Sequence, residues 1–352
     1  KISLKANRKY SENYSENFII IDNEYNALAP NSFGNFEIST ILIGTSFSKS
    51  NENFSETFNN FQNNRLVIAQ RLAALNGDIS GNIDEFGFPI GYGKNNQSVL
   101  IPAFISAYSG KGPESISLNA ISKTPLPSWS ISYSGLMNFD FIKERFKRFS
   151  LGHAYRSSYT LNNFKSNLEY NPDNTQLKDD SGNYINEILY TNVNLVEQFN
   201  PLLKVDMELN NSLQIVMSLK KDRALSLSLD NNLLTESSGT DYSIGLGYRI
   251  KDLKFTNRVG GKRRVSKGDL NIKTDLNFRD NITIIRNLNI LDNKVTAGQN
   301  MWSLKTSADY NLSKSFNAIF FYDHLFSKFA ISTAFPMTTI RAGMTLRYSF
   351  GE

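Results

Sequence analysis

The sequence predicts an all-β fold: a section of a transmembrane antiparallel β-barrel, about 13 strands here, belonging to a much larger barrel. Apolar and polar residues alternate strictly in DYSIGLGYRI (241–250) and TTIRAGMTLRYSF (338–350). Successive strand residues face opposite sides of a sheet, so each segment has one apolar and one polar face. A membrane barrel turns the apolar face to lipid and the polar face to water, whereas a soluble sandwich buries the apolar face against a second sheet.

The composition agrees with a membrane β-barrel and excludes a protein that crosses the membrane with helices. The 352 residues are 40% hydrophobic, and mean hydropathy is −0.35. No run of about 18 apolar residues occurs, which excludes a transmembrane helix. The 25 Phe and 16 Tyr suit the aromatic girdles of a membrane barrel. There is no cysteine, and therefore no disulfide framework.

Two predicted strands are longer than a bilayer requires. Segments 185–209 and 213–233 keep one parity throughout, and at about 3.3 Å per residue each spans roughly 70–80 Å. A tilted membrane strand needs only about 9–11 residues, so the wall is expected to extend well beyond the membrane. The other predicted strands are 1–22, 35–48, 128–137, 147–170, 241–250, 253–260, 269–279, 282–290, 299–310, 316–326 and 338–350.

Predicted turns alternate in length, as barrel turns do. The short, periplasmic set is Asn210–Ser212, Lys251–Asp252, Asp280–Asn281 and Asn311–Ser315, and the long, external set is 171–183, 261–268, 291–298 and 327–337. The basic run Lys262, Arg263 and Arg264 falls in a long loop. We expect it to be solvated, with contact to lipid phosphates or an acidic partner as the alternative.

The predicted organisation is barrel strands over 1–48 and 128–352, separated by a structured segment, 49–127. This segment loses the alternation and contains helix-like stretches at 55–75 and 97–108. A connection this long is usually a functional element, so we expect an extracellular cap or docking element. Apolar residues are expected to hold it on the barrel: Phe54, Phe58, Phe61, Leu66, Ile68 and Leu72.

Parity assigns candidate residues to each face. Lumen-facing candidates are Arg249, Lys273, Asp275, Arg279, Lys305, Asp309, Arg341 and Arg347. They form either cross-strand ion pairs on a hydrated wall or the path of a substrate. Lipid-facing candidates are Tyr242, Ile244, Leu246, Tyr248, Leu346 and Tyr348. Tyr348 and Phe350 resemble a C-terminal assembly signal. The predicted inner face of 147–170 has small residues that suit close approach by a plug or cap: Ser150, Gly152, Ala154, Ser158 and Thr160.

Catalytic motifs are missing from the sequence. His153 and His324 belong to no HExxH pair, and no GxSxG elbow or phosphate-binding Gly-rich loop occurs. Asp179 and Asp180 lie in an Asn/Gly loop that matches no EF-hand, although a calcium contact is an alternative there. We expect no catalytic residues, metal, cofactor or nucleic acid.

Several segments carry a more specific resemblance. They are NNRLVIAQRLA (63–73), QSVLIPAFISAYSG (97–110), PLPSWSISYSGL (125–136), HAYRSSY (153–159), EQFNPLLKVD (197–206), GLGYRIKD (245–252), RDNITIIR (279–286) and TAGQ (296–299). In this order they resemble the C-terminal part of the SprA/Sov family, the outer-membrane translocon of the type 9 secretion system of Bacteroidetes. The resemblance implies a protein-conducting pore with a lateral opening. It also implies a PorV-type shuttle barrel and a periplasmic plug as partners, and cargo with type 9 C-terminal domains.

Family members are several times longer, so the resemblance implies that the rest of the same polypeptide completes the barrel. Lys1 lies inside a strand pattern without a signal peptide, so we expect a processed chain, or part of a longer one, in the bacterial outer membrane. Two other classes stay open. One is a TonB-dependent or porin-like transporter, which needs a plug or a complete short chain. The other is a soluble β-rich adhesin, which must bury its apolar stripes.

Overall fold

A computed structural model describes residues 1–27, 31–77, 81–259, 262–290, 292–311, 316–331 and 335–350, with backbone alone at 27, 255–259 and 262–266. The fold is mostly β. Its strands are β1 (Ile2–Lys5), β2 (Arg8–Ser15), β3 (Phe18–Ile21), β4 (Glu24–Ala27), β5 (Asn31–Ser39), β6 (Ser128–Tyr133), β7 (Phe146–Ser166), β8 (Ile188–Leu189), β9 (Asn192–Leu209), β10 (Leu213–Ser228), β11 (Leu233–Val259), β12 (Lys262–Asn287), β13 (Asn293–Asn311), β14 (Phe316–Phe329) and β15 (Met337–Tyr348). The helices are α1 (Glu56–Leu75), α2 (Gln97–Ser109) and α3 (Asp140–Lys143).

Within the described ranges, 13 strands form one antiparallel sheet, which confirms the predicted all-β class. The sheet is ten strand positions wide, in the order β1-β6-β7-β9-β10-β11-β12-β13-β14-β15. The count matches the predicted number of strands, but the strands themselves are divided differently. Three of the ten positions are each occupied by two strands that lie end to end. These pairs are β1 with β2, β5 with β6, and β8 with β9.

One strand position is interrupted by a long insert. β5 pairs with β7 as far as Ser39↔Ser158, and β6 resumes beside the same strand at Trp129↔Tyr155. Residues 40–127, which we call the insert, leave and re-enter the wall between these two points. Leu126 N donates to Ser39 O at 2.9 Å, so the two ends of the insert meet.

The two longest strands correct two predicted breaks. β11 and β12 are continuous, whereas two strands were predicted in each. Lys251–Asp252 is a bulge, with a register shift between Ile250 and Leu253, because one extra residue bends a strand without ending it. Asp280–Asn281 stays in the ladder opposite Thr240 and Gly239. Turn-forming residue types are tolerated there because a long partner strand holds the backbone.

Several predicted loops are wrong for the same reason. The β11–β12 ladder reaches Val259↔Lys262, so Lys262, Arg263 and Arg264 lie in a strand and not in a loop over 261–268. Likewise β13 begins at Asn293 and β14 continues to Phe329, which shortens the loops predicted at 291–298 and 327–337.

Two further predicted turns are confirmed, and the predicted bounds of two strands are wrong. The Asn210–Ser212 turn is confirmed: Ser212 has φ 69° and its N–H donates to Leu209 O at 3.0 Å. The β13–β14 hairpin is also confirmed, although residues 312–315 of its predicted turn lie outside the described residues. The single strand predicted at 1–22 is wrong, because it is divided into β1, β2 and β3. The strand predicted at 213–233 ends at Ser228.

Both predicted helical stretches are helices. α1 begins at a Ser55 N-cap, whose Oγ accepts from Phe58 N at 3.3 Å. α2 begins at Asn96, whose side chain accepts from Ser98 N, and ends at Gly110 with φ 72°, a conformation that favours glycine. In the described part of the chain, no helix has the length and apolar character needed to cross a membrane.

The main core lies between the insert and the sheet. Phe61 and Ile68 of α1 and Phe104 of α2 are fully buried against wall residues that include Leu195 and Leu225. Of the six residues expected to hold the insert, Phe58, Phe61 and Ile68 are buried and Leu72 is half-buried. The expectation is wrong for Phe54 and Leu66, which are 50% and 36% exposed.

The described sheet is open and does not close into a barrel. β1 pairs only with β6, and β15 pairs only with β14. The first and last strands are therefore not neighbours, as the sequence predicts.

The buried and exposed residues of α1 provide a matched test of the core. Phe61→Ala is expected to lower the free energy of local opening of α1 by about 3–5 kcal/mol, because it leaves a cavity in the core. Leu66→Ala, on the same helix, is expected to change it by less than about 1 kcal/mol. Native-state hydrogen exchange of the α1 amides measures both values. Equal effects would contradict the described packing of this helix.

Candidate functional site: two faces of the wall and a buried ionic cluster

The pairing register assigns every wall residue to one of two faces, because residues directly opposite in an antiparallel ladder point the same way. We call the face that contains Tyr242 the apolar face and the face that contains Ser243 the polar face. The lower end of the sheet is the end with the Asn210–Ser212 turn, and the upper end is opposite.

The lower half of the apolar face is a continuous band of exposed apolar side chains across the sheet. We call this the bare band. Its residues, each at least 36% exposed, include Ile2, Leu4, Ile131, Tyr133, Leu203, Met217, Tyr242, Ile244, Leu246, Tyr248, Leu276, Phe278, Phe320, Tyr322, Ile340, Met344, Leu346 and Tyr348. Soluble monomers rarely expose an apolar patch that extends over so many strands.

The dimensions of the bare band match a bilayer. On β11 its exposed side chains extend from Tyr242 to Leu253, a span that includes the bulge and is close to the about 9–11 residues of a tilted membrane strand. Aromatic residues mark its upper edge on four successive strands, where Tyr242 is opposite Phe278, Phe278 is opposite Trp302, and Trp302 is opposite Phe326. Such rows are typical of the girdles that flank the apolar zone of membrane barrels.

All six predicted lipid-facing residues lie on this face and are exposed by between 39% and 58%: Tyr242, Ile244, Leu246, Tyr248, Leu346 and Tyr348. Phe350 follows β15, and its ring centroid lies 4.8 Å from that of Tyr348. Their contact with lipid, and the role of Tyr348 and Phe350 as an assembly signal, stay predictions.

All eight predicted lumen-facing residues share the polar face. The register connects them through pairs such as Asp275↔Lys305. Three form ion pairs with other wall residues: Arg249 with Asp269 at 2.5 Å, Arg279 with Asp241 at 3.5 Å, and Arg341 with Asp323 at 3.0 Å. Asp309 accepts instead from the Asn317 amide at 2.6 Å, while Lys273 lies opposite Ser307 and Arg347 opposite Asn317. The polar face is thus hydrophilic and partly ion-paired.

The insert packs on the apolar face, directly above the bare band. Leu225 and Leu227 have the parity of Met217 on β10 and are buried under the insert, whereas Met217 is 37% exposed. The small residues of β7 that were expected to accept a cap lie on the polar face, so for the insert that prediction is wrong. The insert covers the opposite face because apolar side chains continue on that face above the bare band, and they must be shielded from water.

Four buried ionisable residues interrupt the apolar parity beneath the insert. They occur on four successive strands: Glu197 on β9, Arg223 on β10, Glu236 on β11 and Arg286 on β12. Arg223 pairs with Glu197 at 3.0 Å and Arg286 pairs with Glu236 at 3.1 Å. Each is at most 7% exposed. We call this group the ionic cluster.

The ionic cluster binds the segment that leads into α1. Arg223 donates to Thr45 O at 2.9 Å, and Ser46 Oγ donates to Glu197 at 2.6 Å. On the second pair, Arg286 donates to Asn51 O at 2.9 Å, and Ser50 Oγ donates to Glu236 at 2.8 Å. Two charge pairs of the wall therefore fix the backbone of residues 45–51.

Buried tyrosines complete the cluster. The Tyr155 hydroxyl donates to Glu197 at 2.8 Å and accepts from Leu42 N at 2.8 Å. Burial raises the pKa of Tyr155, so it stays a protonated donor. Arg223 lies 5.9 Å from the Tyr108 ring centroid and Arg286 5.5 Å from that of Phe58. These cation–π contacts add to the attraction between wall and insert.

Sequence reasoning missed the ionic cluster, although a signal was present. Glu197, Arg223, Glu236 and Arg286 occupy apolar-parity positions in otherwise apolar stretches, where a charge requires a partner. Their charges break the apolar alternation, which is a signal present in the sequence. Only the fold shows that the four side chains meet.

The two histidines and the Asp179 loop have local partners. His153 Nδ1 lies 2.6 Å from Leu202 O, and the His324 ring lies 4.5 Å from Trp302. Asp179 accepts from Ser181 N and Asn183 N, so it orders its own loop. Over the described ranges, no cluster of three or more potential metal-ligating side chains occurs.

Comparison with protein-family models and with curated proteins found no match to this chain.

The faces predict opposite labelling of neighbouring residues. For the protein in a membrane, Ser243→Cys is expected to react with a water-soluble maleimide because it lies on the polar face, and Ile244→Cys to stay unlabelled. Lys273→Cys and Leu276→Cys repeat the contrast on β12. Gly245 is a poorer labelling position on the same face, because a Cβ there would lie 3.0 Å from the Asp275 carboxylate. The reverse labelling pattern would reject the assignment of faces.

The ionic cluster predicts a non-additive mutant pair. Arg286→Met leaves Glu236 buried without its partner and is expected to cost about 3–5 kcal/mol of local stability, whereas Arg286→Met with Glu236→Leu recovers most of it. Arg249→Met, in an exposed pair, is expected to cost about 1 kcal/mol or less. Hydrogen exchange over residues 45–58 measures the local stability of Arg286→Met and of the double variant. Exchange of the β11–β12 amides measures the local stability of Arg249→Met. Additive losses would show that the pair does not act as a unit.

Proposed function

We propose that this chain is a section of the wall of a large outer-membrane barrel that exports folded proteins by type 9 secretion. The observation that carries this proposal is the combination of a bare apolar band, a hydrophilic opposite face and two unpaired sheet edges. Each part supports one step of the argument.

The bare band supports a position in lipid. Its apolar side chains would be exposed to water in a soluble adhesin, whereas lipid covers all of them without a second sheet. The polar face would then line an aqueous interior, with Arg249, Asp275 and Lys305 toward water. The insert would lie outside the barrel, on the wall above the membrane.

The open edges support a barrel larger than this sheet. β1 and β15 carry band residues such as Leu4 and Ile340, so both edges would lie in lipid. Unpaired backbone groups are not tolerated there, and each edge therefore requires a further strand. Ten positions that do not close on each other imply a wider barrel, and about 16–18 strands already enclose an aqueous channel.

The resemblance of eight ordered segments to the SprA/Sov family supports protein export as the function of this wide interior. In that proposal the rest of the same polypeptide supplies the missing strands. A PorV-type shuttle barrel, a periplasmic plug and cargo with type 9 C-terminal domains are the partners. The test must distinguish protein export from the alternative function, that of a porin-like or TonB-dependent transporter.

Neighbouring lysine variants of the full-length protein test both parts of the proposal. Ile244→Lys places a charge on the lipid side and is expected to cost about 2–4 kcal/mol, so less barrel reaches the outer membrane. Cargo with a type 9 C-terminal domain should then accumulate in the periplasm. Ser243→Lys, on the polar face, is the matched control and should keep normal levels of barrel and export.

Two results would count against the proposal in different ways. Normal assembly of Ile244→Lys would reject the lipid-facing wall. Loss of the barrel from the membrane with unchanged cargo export would reject protein export and favour a small-molecule transporter.

A further inference from the structure

The N-terminal edge strand continues above the sheet as a separate hairpin. After β1 and β2, the chain forms β3 and β4, which pair only with each other in the described part of the structure. We call residues 16–25 the hairpin tip. Asp22 and Asn23 both have positive φ, 52° and 67°, the conformation of a two-residue turn whose twist matches the strands. The tip is thus a preformed element.

The hairpin tip exposes large apolar side chains in an unbroken run. Phe18, Ile19, Ile20 and Ile21 are 53%, 41%, 65% and 50% exposed, and Tyr25 is 79% exposed. Consecutive strand residues point to opposite sides, so both faces of the hairpin are apolar. Core packing does not explain such a run. A contiguous exposed apolar surface is typical of an interaction site.

The charges around the tip all have one sign. Residues 11–27 contain Glu12, Glu16, Asp22 and Glu24 but neither lysine nor arginine. The chain as a whole has a net charge of +5, so the acidic tip contrasts with its surroundings. Complementary charge on a partner would steer and orient binding.

The position of the tip excludes the bilayer as its occupant, given the proposed position of the bare band in lipid. Leu4 belongs to the band, and β2 continues the same edge beside β5 as far as Ser15↔Asn31, eleven residues and roughly 36 Å above Leu4 at about 3.3 Å per residue. Ile20 follows five residues later, about 16 Å of extended chain at most, so the tip cannot return to the band. The tip is therefore too far above the band to reach the same membrane.

We infer that the hairpin tip docks into an apolar cleft, edged by lysine or arginine, on a separate protein above the bare band. The apolar side chains would fill the cleft from both faces of the hairpin. Glu16 and Glu24 would then lie at its rim, opposite the basic residues. This interaction goes beyond the proposed export function, and it uses that function only to exclude lipid.

Site-specific photo-crosslinking in cells tests the inference on the full-length protein. A benzoylphenylalanine at Ile20 is expected to give one defined adduct with another protein, and the crosslinked peptide should be apolar with lysine or arginine nearby. The same probe at Leu75, which is 74% exposed at the end of α1, is the control and should give no such adduct. Both positions are exposed, so neither probe disturbs the core.

Charge variants identify the rim contacts. Glu16→Lys with Glu24→Lys is expected to lower the adduct yield about tenfold or more, because like charges at a rim oppose association. Glu16→Gln with Glu24→Gln is expected to lower it less. Membrane levels of each variant, compared with wild type, show that the barrel still assembles.

The inference is overturned by any of four results: no adduct at Ile20, adducts with lipid or with this chain alone, a crosslinked peptide without basic residues, or a yield unchanged by charge reversal. None of these results depends on cargo export. Failure of the docking site is therefore distinguishable from failure of the proposed function.

Discussion

The structure depends on the uninterrupted pairing of β11 with β12. From Leu233↔Asn287 to Ile250↔Leu270 the ladder keeps one register, so side-chain parity cannot change over that distance. The apolar face consequently continues far above the bare band, where lipid would no longer cover it. The insert meets this demand by packing α1 and α2 on the upper half of that face. The β11–β12 register therefore accounts both for the height of the wall and for the need for helices that cover its upper part.

The ionic cluster adds positional information to this packing. Apolar contacts between α2 and the wall are non-directional, whereas the two Arg–Glu pairs accept only donors and acceptors at fixed places on residues 45–51. Buried ion pairs contribute little net stability relative to apolar residues of similar volume, but breaking one pair is costly. We therefore attribute to Glu197, Arg223, Glu236 and Arg286 the alignment of the insert on the wall, and to Phe61 and Phe104 most of its attachment.

Period-two alternation predicted the sheet, the parity of Tyr242 and Ser243, and the shared faces of all the candidate site residues, because these depend only on local geometry. The helices were also predicted, since the loss of period-two alternation over 55–75 and 97–108 is a local signal. Errors arose where a partner strand overrides local preference, as at Asp280–Asn281. The side of the sheet that the insert covers and the meeting of Arg286 with Glu236 depend on contacts between residues far apart in the chain. Local patterns contain no information about such contacts.

The junction of the insert with the wall has a further consequence. Thr40 N donates to Ser157 O at 3.1 Å, and Ser39 Oγ donates to Leu126 O at 2.7 Å, so the end of the entry strand and the start of the exit strand meet in line beside β7. The hydrogen bonding of β7 is therefore satisfied locally at this point, whatever the size of the segment between residues 40 and 127. Such a junction separates two kinds of evolutionary change: the sheet can keep its strand order and register while the segment inserted at this point is lengthened, shortened or replaced.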